Sequence, residues 1–97
     1  MTVTSVDLAA HGVGALRLVI VQEEALRAEH AAHAVALRHG LTPREAQVLA
    51  QLARGASNLR IAHVMGCAER TVEVHVTRLL AKLECATRAE AIARTLA

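Results

Sequence analysis

The 27 residues Ser57–Leu83, SNLRIAHVMGCAERTVEVHVTRLLAKL, constrain the fold of this chain more than any other stretch. Ser57 suits an N-cap, because its hydroxyl accepts a bond from an orphan backbone N–H of the first helical turn. Ile61, Ala62 and Met65 follow at three- and four-residue spacing and form one apolar face. Gly66 suits the C′ position, where positive φ is cheap only for glycine. A second run then sets Val72, Val76, Leu79, Leu80 and Leu83 on one stripe. Thr71, Glu73, Val74, Thr77, Arg78 and Lys82 fall off that stripe, on the exposed side. The spacing predicts a short helix, a tight turn and a longer helix, which is the helix-turn-helix arrangement.

Two further helices flank this unit. At Leu41–Leu52, Thr42 is a cap, Pro43 occupies the first helical position and Glu45 the third, a capping box with a pre-set φ. Val48, Leu49 and Leu52 make the inward face, and Arg54-Gly55-Ala56 ends the helix. Thr87 and Glu90 form a second capping box, which opens a last helix with Ile92 and Leu96 on one side. Residues 41–97 are thus expected to hold four helices in a small all-α bundle.

Residues 1–40 read differently. Met1–His11 has no clear pattern, and Gly12-Val13-Gly14 is punctuation. Ala15–Val21 is short and rich in aliphatic and β-branched residues, which predicts a strand, with a buried helical segment as the rival reading. Gln22–His39 is alanine-rich and free of Gly and Pro, which predicts a linker helix closed by Gly40. Leu26, His33 or Ala34, and Leu37 are its expected apolar seam. A lone strand has two unpaired edges, so 1–40 is expected to pair with a second chain or to be the tail of a sensor domain.

Composition narrows the function. The chain has no Phe, Trp or Tyr, so its core must be aliphatic and base-stacking platforms for single strands are disfavoured. Glycine-rich phosphate loops, H-E-x-x-H and nucleophile elbows are absent, which argues against an enzyme. His30 and His33 share a helix face and His39 lies further on, but no compact ligand motif includes them, so neither metal nor cofactor is expected. Cys67 and Cys85 read as reduced thiols of a cytoplasmic chain. The apolar run LRLVIV at 16–21 is too short to span a membrane.

The run Leu41–Ala97 resembles the DNA-binding domain of LuxR-type (GerE- or NarL-type) transcriptional regulators. The matching pieces are LTPRE at 41–45, VL at 48–49, G-x-S-N at 55–58, IA at 61–62, Gly66, TV-x-VH at 71–75, KL at 82–83 and TRAEA at 87–91. The resemblance covers 57 of 97 residues at uninterrupted spacing. It implies an all-α, four-helix helix-turn-helix domain, here preceded by a short strand and a linker helix. The function it implies is sequence-specific binding of double-stranded DNA in transcription regulation, as a homodimer, with the helix around 69–83 in the major groove. Charge agrees in direction: residues 1–40 balance at −1, whereas 41–97 carry eight Lys/Arg against five Glu, or +3.

Position by position, the resemblance puts Glu73, Val74 and Thr77 at base edges and Thr71, His75, Arg78 and Lys82 at phosphates. Thr42, Arg44, Ser57, Asn58 and Arg60 sit at helix starts, where backbone N–H groups suit phosphate, although Thr42 and Ser57 are equally explained as caps. Ile92 and Leu96 are the expected dimer face. The chain departs from the family at Glu73, often Lys or Arg there, at Ala68, usually Ser, and at Leu59, usually polar. Those departures leave a rival reading: a protein–protein or dimerisation module that kept the fold without binding DNA.

Overall fold

The computed structural model describes residues 13–97. Five helices follow one another: α1 (Val13–His39), α2 (Pro43–Ala53), α3 (Asn58–Met65), α4 (Glu69–Leu83) and α5 (Arg88–Leu96). No strand occurs among the described residues. Met1–Gly12 lie outside them, and Val13 and Gly14 belong to α1.

The strand expected at Ala15–Val21 is instead the first half of α1. In a helix each backbone N–H finds an acceptor four residues back, so the segment needs no neighbouring strand. The β-branched Val19, Ile20 and Val21 cost only a few tenths of a kcal/mol each in a helix, and the alanine-rich segment after them propagates the turn. The expected linker helix is therefore real but longer at its N-terminal end.

The packed face of α1 also differs from the expected one. Leu26 is 47% exposed and Leu37 is 73% exposed, while Ala28, Ala32, Val35 and Ala36 are buried. His33 and Ala34, the two candidates for the middle of the expected seam, are both exposed. Small side chains let α1 approach closely, and its second half lies against α2 and α5. Ala32 and Val35 thereby enter the same core as Val48, Leu49, Leu52, Ile61, Val72, Leu79 and Leu83. The first half of α1 leaves Leu16, Leu18, Ile20 and Val21 about half exposed.

Local chemistry sets the helix ends. Thr42 Oγ1 accepts from the Glu45 N–H (3.1 Å) and Glu45 Oε1 accepts from the Thr42 N–H (2.8 Å), a complete capping box. Ser57 Oγ accepts from the Arg60 N–H at 3.2 Å. Thr87 caps the Glu90 N–H, but the Glu90 carboxylate reaches back to the Ala86 N–H at 3.2 Å, so this box is displaced by one residue. Ala68 gives α4 no side-chain cap. Gly66 sits at φ 65°, ψ 38°, and the Cys67 N–H returns to the Ala62 carbonyl, closing α3 sharply enough to turn into α4.

Candidate nucleic-acid interface

Helix α4 has two faces with different tasks. Val72, Val76, Leu79 and Leu83 are buried and anchor it against α2, α3 and α5. Opposite them, Arg70, Glu73, Val74, Thr77 and Arg78 line one shallow surface depression. These five lie at i, i+3, i+4, i+7 and i+8, which is one stripe of a helix. Val74 is 42% exposed at its centre. Neither Arg70 nor Arg78 forms an ion pair among the described residues. Arg70 was missed in the sequence; it lies one turn before Val74, and extending the exposed stripe backwards by four residues would have found it.

The other expected site residues sort by what already holds them. Thr71, Arg44 and Arg60 are exposed. Thr42 and Ser57 act as caps, each through an oxygen that accepts a backbone N–H. Asn58 Oδ1 accepts from Arg88 Nη1 at 2.7 Å, which ties the start of α3 to the start of α5. The Thr77 hydroxyl donates to the Glu73 carbonyl at 3.0 Å, so its oxygen remains available only as an acceptor. His75 is half-buried, with Nδ1 enclosed and unpartnered among the described residues. Ile92 is partly buried against the chain's own core, while Leu96 stays half exposed. Leu96 borders a groove with Val21, Ala25 and Ala28 of α1.

Lys82 stands apart from the stripe. Its ammonium meets Glu45 Oε1 at 2.7 Å and donates to the Gly40 carbonyl at 3.2 Å. The Glu45 side chain is 3% exposed. Burial pushes its carboxyl pKa up, but the hydrogen bond from Lys82, the bond from the Thr42 N–H and the Lys82 charge together outweigh that and hold it below the ordinary glutamate value. Because the folded value is the lower one, the stability from this pair is fully present above the ordinary glutamate range. It is lost as pH falls through the lowered value. Thermal melts taken from about pH 7 down to about pH 3 are expected to show a flatter acid limb in Glu45→Gln than in the unaltered chain. An identical acid limb would mean that this carboxylate does not titrate with unfolding.

Among the described residues no group of three or more His, Cys, Asp and Glu is placed to hold a metal ion. No helix there is long and apolar enough to cross a membrane.

A turn-linked helix pair with a fully buried inner face and a basic-flanked outer stripe defines a helix-turn-helix protein. Residues 39–95 match the family described as "Bacterial regulatory proteins, luxR family". The chain belongs to that family, whose members are transcription regulators with a helix-turn-helix DNA-binding domain. It is 51% identical over 51 residues to the uncharacterized transcriptional regulatory protein YhcZ of Bacillus subtilis, covering 53% of this chain and 24% of that protein. It is 49% identical over 51 residues to the nitrate/nitrite response regulator protein NarP of Escherichia coli, with 53% and 24% covered. Likeness to the uncharacterized transcriptional regulatory protein YxjL of Bacillus subtilis runs further, at 34% over 93 residues, or 93% of this chain and 43% of that protein. The chain thus spans from a quarter to less than half the length of these relatives. No solved structure matches it significantly.

Proposed function

We propose that this chain binds double-stranded DNA sequence-specifically, as a homodimer that regulates transcription from the cytoplasm, with α4 in the major groove. The observation that carries the reading is the exposed stripe Arg70–Glu73–Val74–Thr77–Arg78 on a helix whose opposite face is locked into the core. From Arg70 to Arg78 the helix advances about 12 Å, close to the width of a B-DNA major groove. The two arginines can then reach phosphates on its flanks while Val74 meets a thymine methyl. Glu73 can accept from a cytosine N4, and Thr77 offers an acceptor oxygen and a methyl. Thr71, Arg44, Arg60 and the helix starts at Thr42 and Ser57 supply further phosphate contacts. Lys82 is left out of that set, because its ammonium already holds Glu45 and Gly40. Asn58, which accepts from Arg88, and the half-buried His75 are left out as well.

The homodimer reading draws on apolar surface outside the DNA stripe. Leu96 and Val21, both about half exposed, border one groove between α1 and α5, and Leu16, Leu18 and Ile20 add exposed apolar surface on the first half of α1. Residues 1–40 then serve as linker and dimerisation element, joined to a sensor domain or a partner. The rival reading, an interaction module without DNA, draws on Leu59, which is 67% exposed on α3.

Fluorescence anisotropy on random duplexes of about 30 base pairs, enough for two half-sites one or two turns apart, separates these readings. Binding that weakens as salt rises, followed by enrichment of a site with two-fold or repeated halves, supports the dimeric regulator. No binding at low salt sinks it in favour of the interaction module. In the same assay Glu73→Lys is expected to raise affinity for random DNA and to steepen the salt dependence by about one phosphate's worth, a slope change of ~0.9. A fall in affinity on every duplex would show that Glu73 makes a favourable contact.

A further inference from the structure

We propose that Lys82 is a positioning residue for α4: it governs sequence-specific DNA affinity by fixing the angle of that helix, and it does not contact phosphate. This rests on the DNA-binding reading above.

Three elements converge on the Lys82 ammonium. Gly40, at φ +67°, is the residue that ends α1; Glu45 is in the first turn of α2; Lys82 is in the last turn of α4. The sequence separations are 37 and 42 residues, so the contact is a purely tertiary one. Glu45 Oε1 is held from the other side by the Thr42 N–H, so the acceptor that Lys82 meets is itself fixed in place. Lys82 therefore reads the position of a rigid corner and transfers it to α4.

The rest of α4 has few directional restraints. Its inner face is aliphatic, and apolar packing does not by itself set a hydrogen-bonded register. Its N-terminus lacks a side-chain cap, since Ala68 stands at the N-cap. The side-chain polar bonds that tie α4 to other elements lie at its C-terminal end: Lys82 to the corner, and the Arg94 guanidinium to the Leu83 carbonyl. Val74 lies eight residues, or about 12 Å, up the helix from Lys82. Over that lever each degree of tilt moves Val74 by about 0.2 Å, and a few degrees spoil contacts whose tolerance is a few tenths of an ångström. Contacts with base edges need that accuracy, whereas flexible arginines on phosphates do not.

Electrostatics argue the same way. Lys82 is paired at 2.7 Å with a buried carboxylate, so the two together carry no net charge toward DNA. The side chain is 36% exposed and one of its three N–H donors is free, but a phosphate reaching that donor would meet a neutralised pair, and an ammonium that swung out to phosphate would leave Glu45 charged and buried.

The test is a double-mutant cycle in the full chain, with Lys82→Met, Glu45→Gln and both together. Affinity for the selected duplex and for random duplex is titrated at several salt concentrations, at a temperature where circular dichroism shows each variant folded. The unaltered chain is titrated first. If it binds no duplex, the DNA-binding reading and this proposal both fall. If it binds, Lys82→Met is expected to lose about ten-fold affinity for the selected duplex, the factor of one misplaced contact, with random-DNA affinity and salt slope unchanged. Glu45→Gln is expected to weaken selected-site binding in the same direction, by less. The double variant is expected to be no weaker than Lys82→Met alone, because both changes break one device.

A phosphate role gives the opposite signs. Lys82→Met would then lower the salt slope by about 0.9 and weaken all duplexes alike. Glu45→Gln would release the ammonium and raise affinity. Either result overturns the proposal while leaving the DNA-binding reading intact. So does a variant set that melts at lower temperature but binds unchanged when folded, since that is a structural role alone.

Discussion

Leu79→Ala is expected to destabilise the domain by about 2–5 kcal/mol. Leu79 is fully buried on the inner face of α4, among Leu49, Leu52, Ile61 and Leu83. Truncation removes its transfer free energy and leaves a cavity that the surrounding helices cannot fully close. The 85 described residues support a total stability of roughly 4–13 kcal/mol, so the loss is a large share of the whole. Urea denaturation followed by circular dichroism is the measurement. The midpoint should fall sharply with an unchanged slope. A shift worth less than about 1 kcal/mol would mean that the site collapses around the change and that α4 is less firmly seated than its burial indicates.

Val74→Asp, five residues earlier on the same helix, is expected to do the reverse: leave the fold intact and nearly abolish DNA binding. Val74 faces outward, so its replacement opens no cavity, and Val and Asp have similar helix propensities. A carboxylate at the centre of the stripe faces phosphates on both sides and loses the apolar contact. At about 1–3 kcal/mol per half-site, a dimer engaging two half-sites loses on the order of 100-fold or more. Anisotropy on the selected duplex, with a matched circular dichroism spectrum, reads it directly. Affinity within three-fold of the unaltered chain would remove Val74, and with it the proposed groove face, from the interface.

These two changes separate what a periodic pattern can reveal from what it cannot. The inner stripe Val72–Val76–Leu79–Leu83 and the outer positions Glu73, Val74, Thr77 and Arg78 were both legible, because the 3.6-residue period assigns opposite faces locally. Arg70 obeys the same period, one turn before Val74, and lies just ahead of the TV-x-VH motif. Thr42 with Glu45, Ser57 and Gly66 were legible as caps because a cap involves residues at most a few positions apart.

Residues 13–39 show where such reading stops. A run such as LRLVIV satisfies both strand and helix periods, and the deciding fact was whether a neighbouring strand exists to receive its hydrogen bonds. Within α1, alanines and leucines are both apolar, so hydropathy cannot tell which face packs; close approach to α2 selected Ala28, Ala32 and Val35 and left Leu26 and Leu37 in solvent. The pairing of Lys82 with Glu45, and of Arg88 with Asn58, joins residues 37 and 30 positions apart. The helices of residues 41–97, the caps at Thr42 and Ser57 and the two-faced character of α4 are written in the local residue pattern, since each depends on interactions within a turn or two. The helical state and packing face of α1, and the tie from the partly exposed Lys82 to Glu45 and Gly40, come from the folded structure alone. Both depend on which distant groups come within hydrogen-bond or van der Waals range once the core has closed.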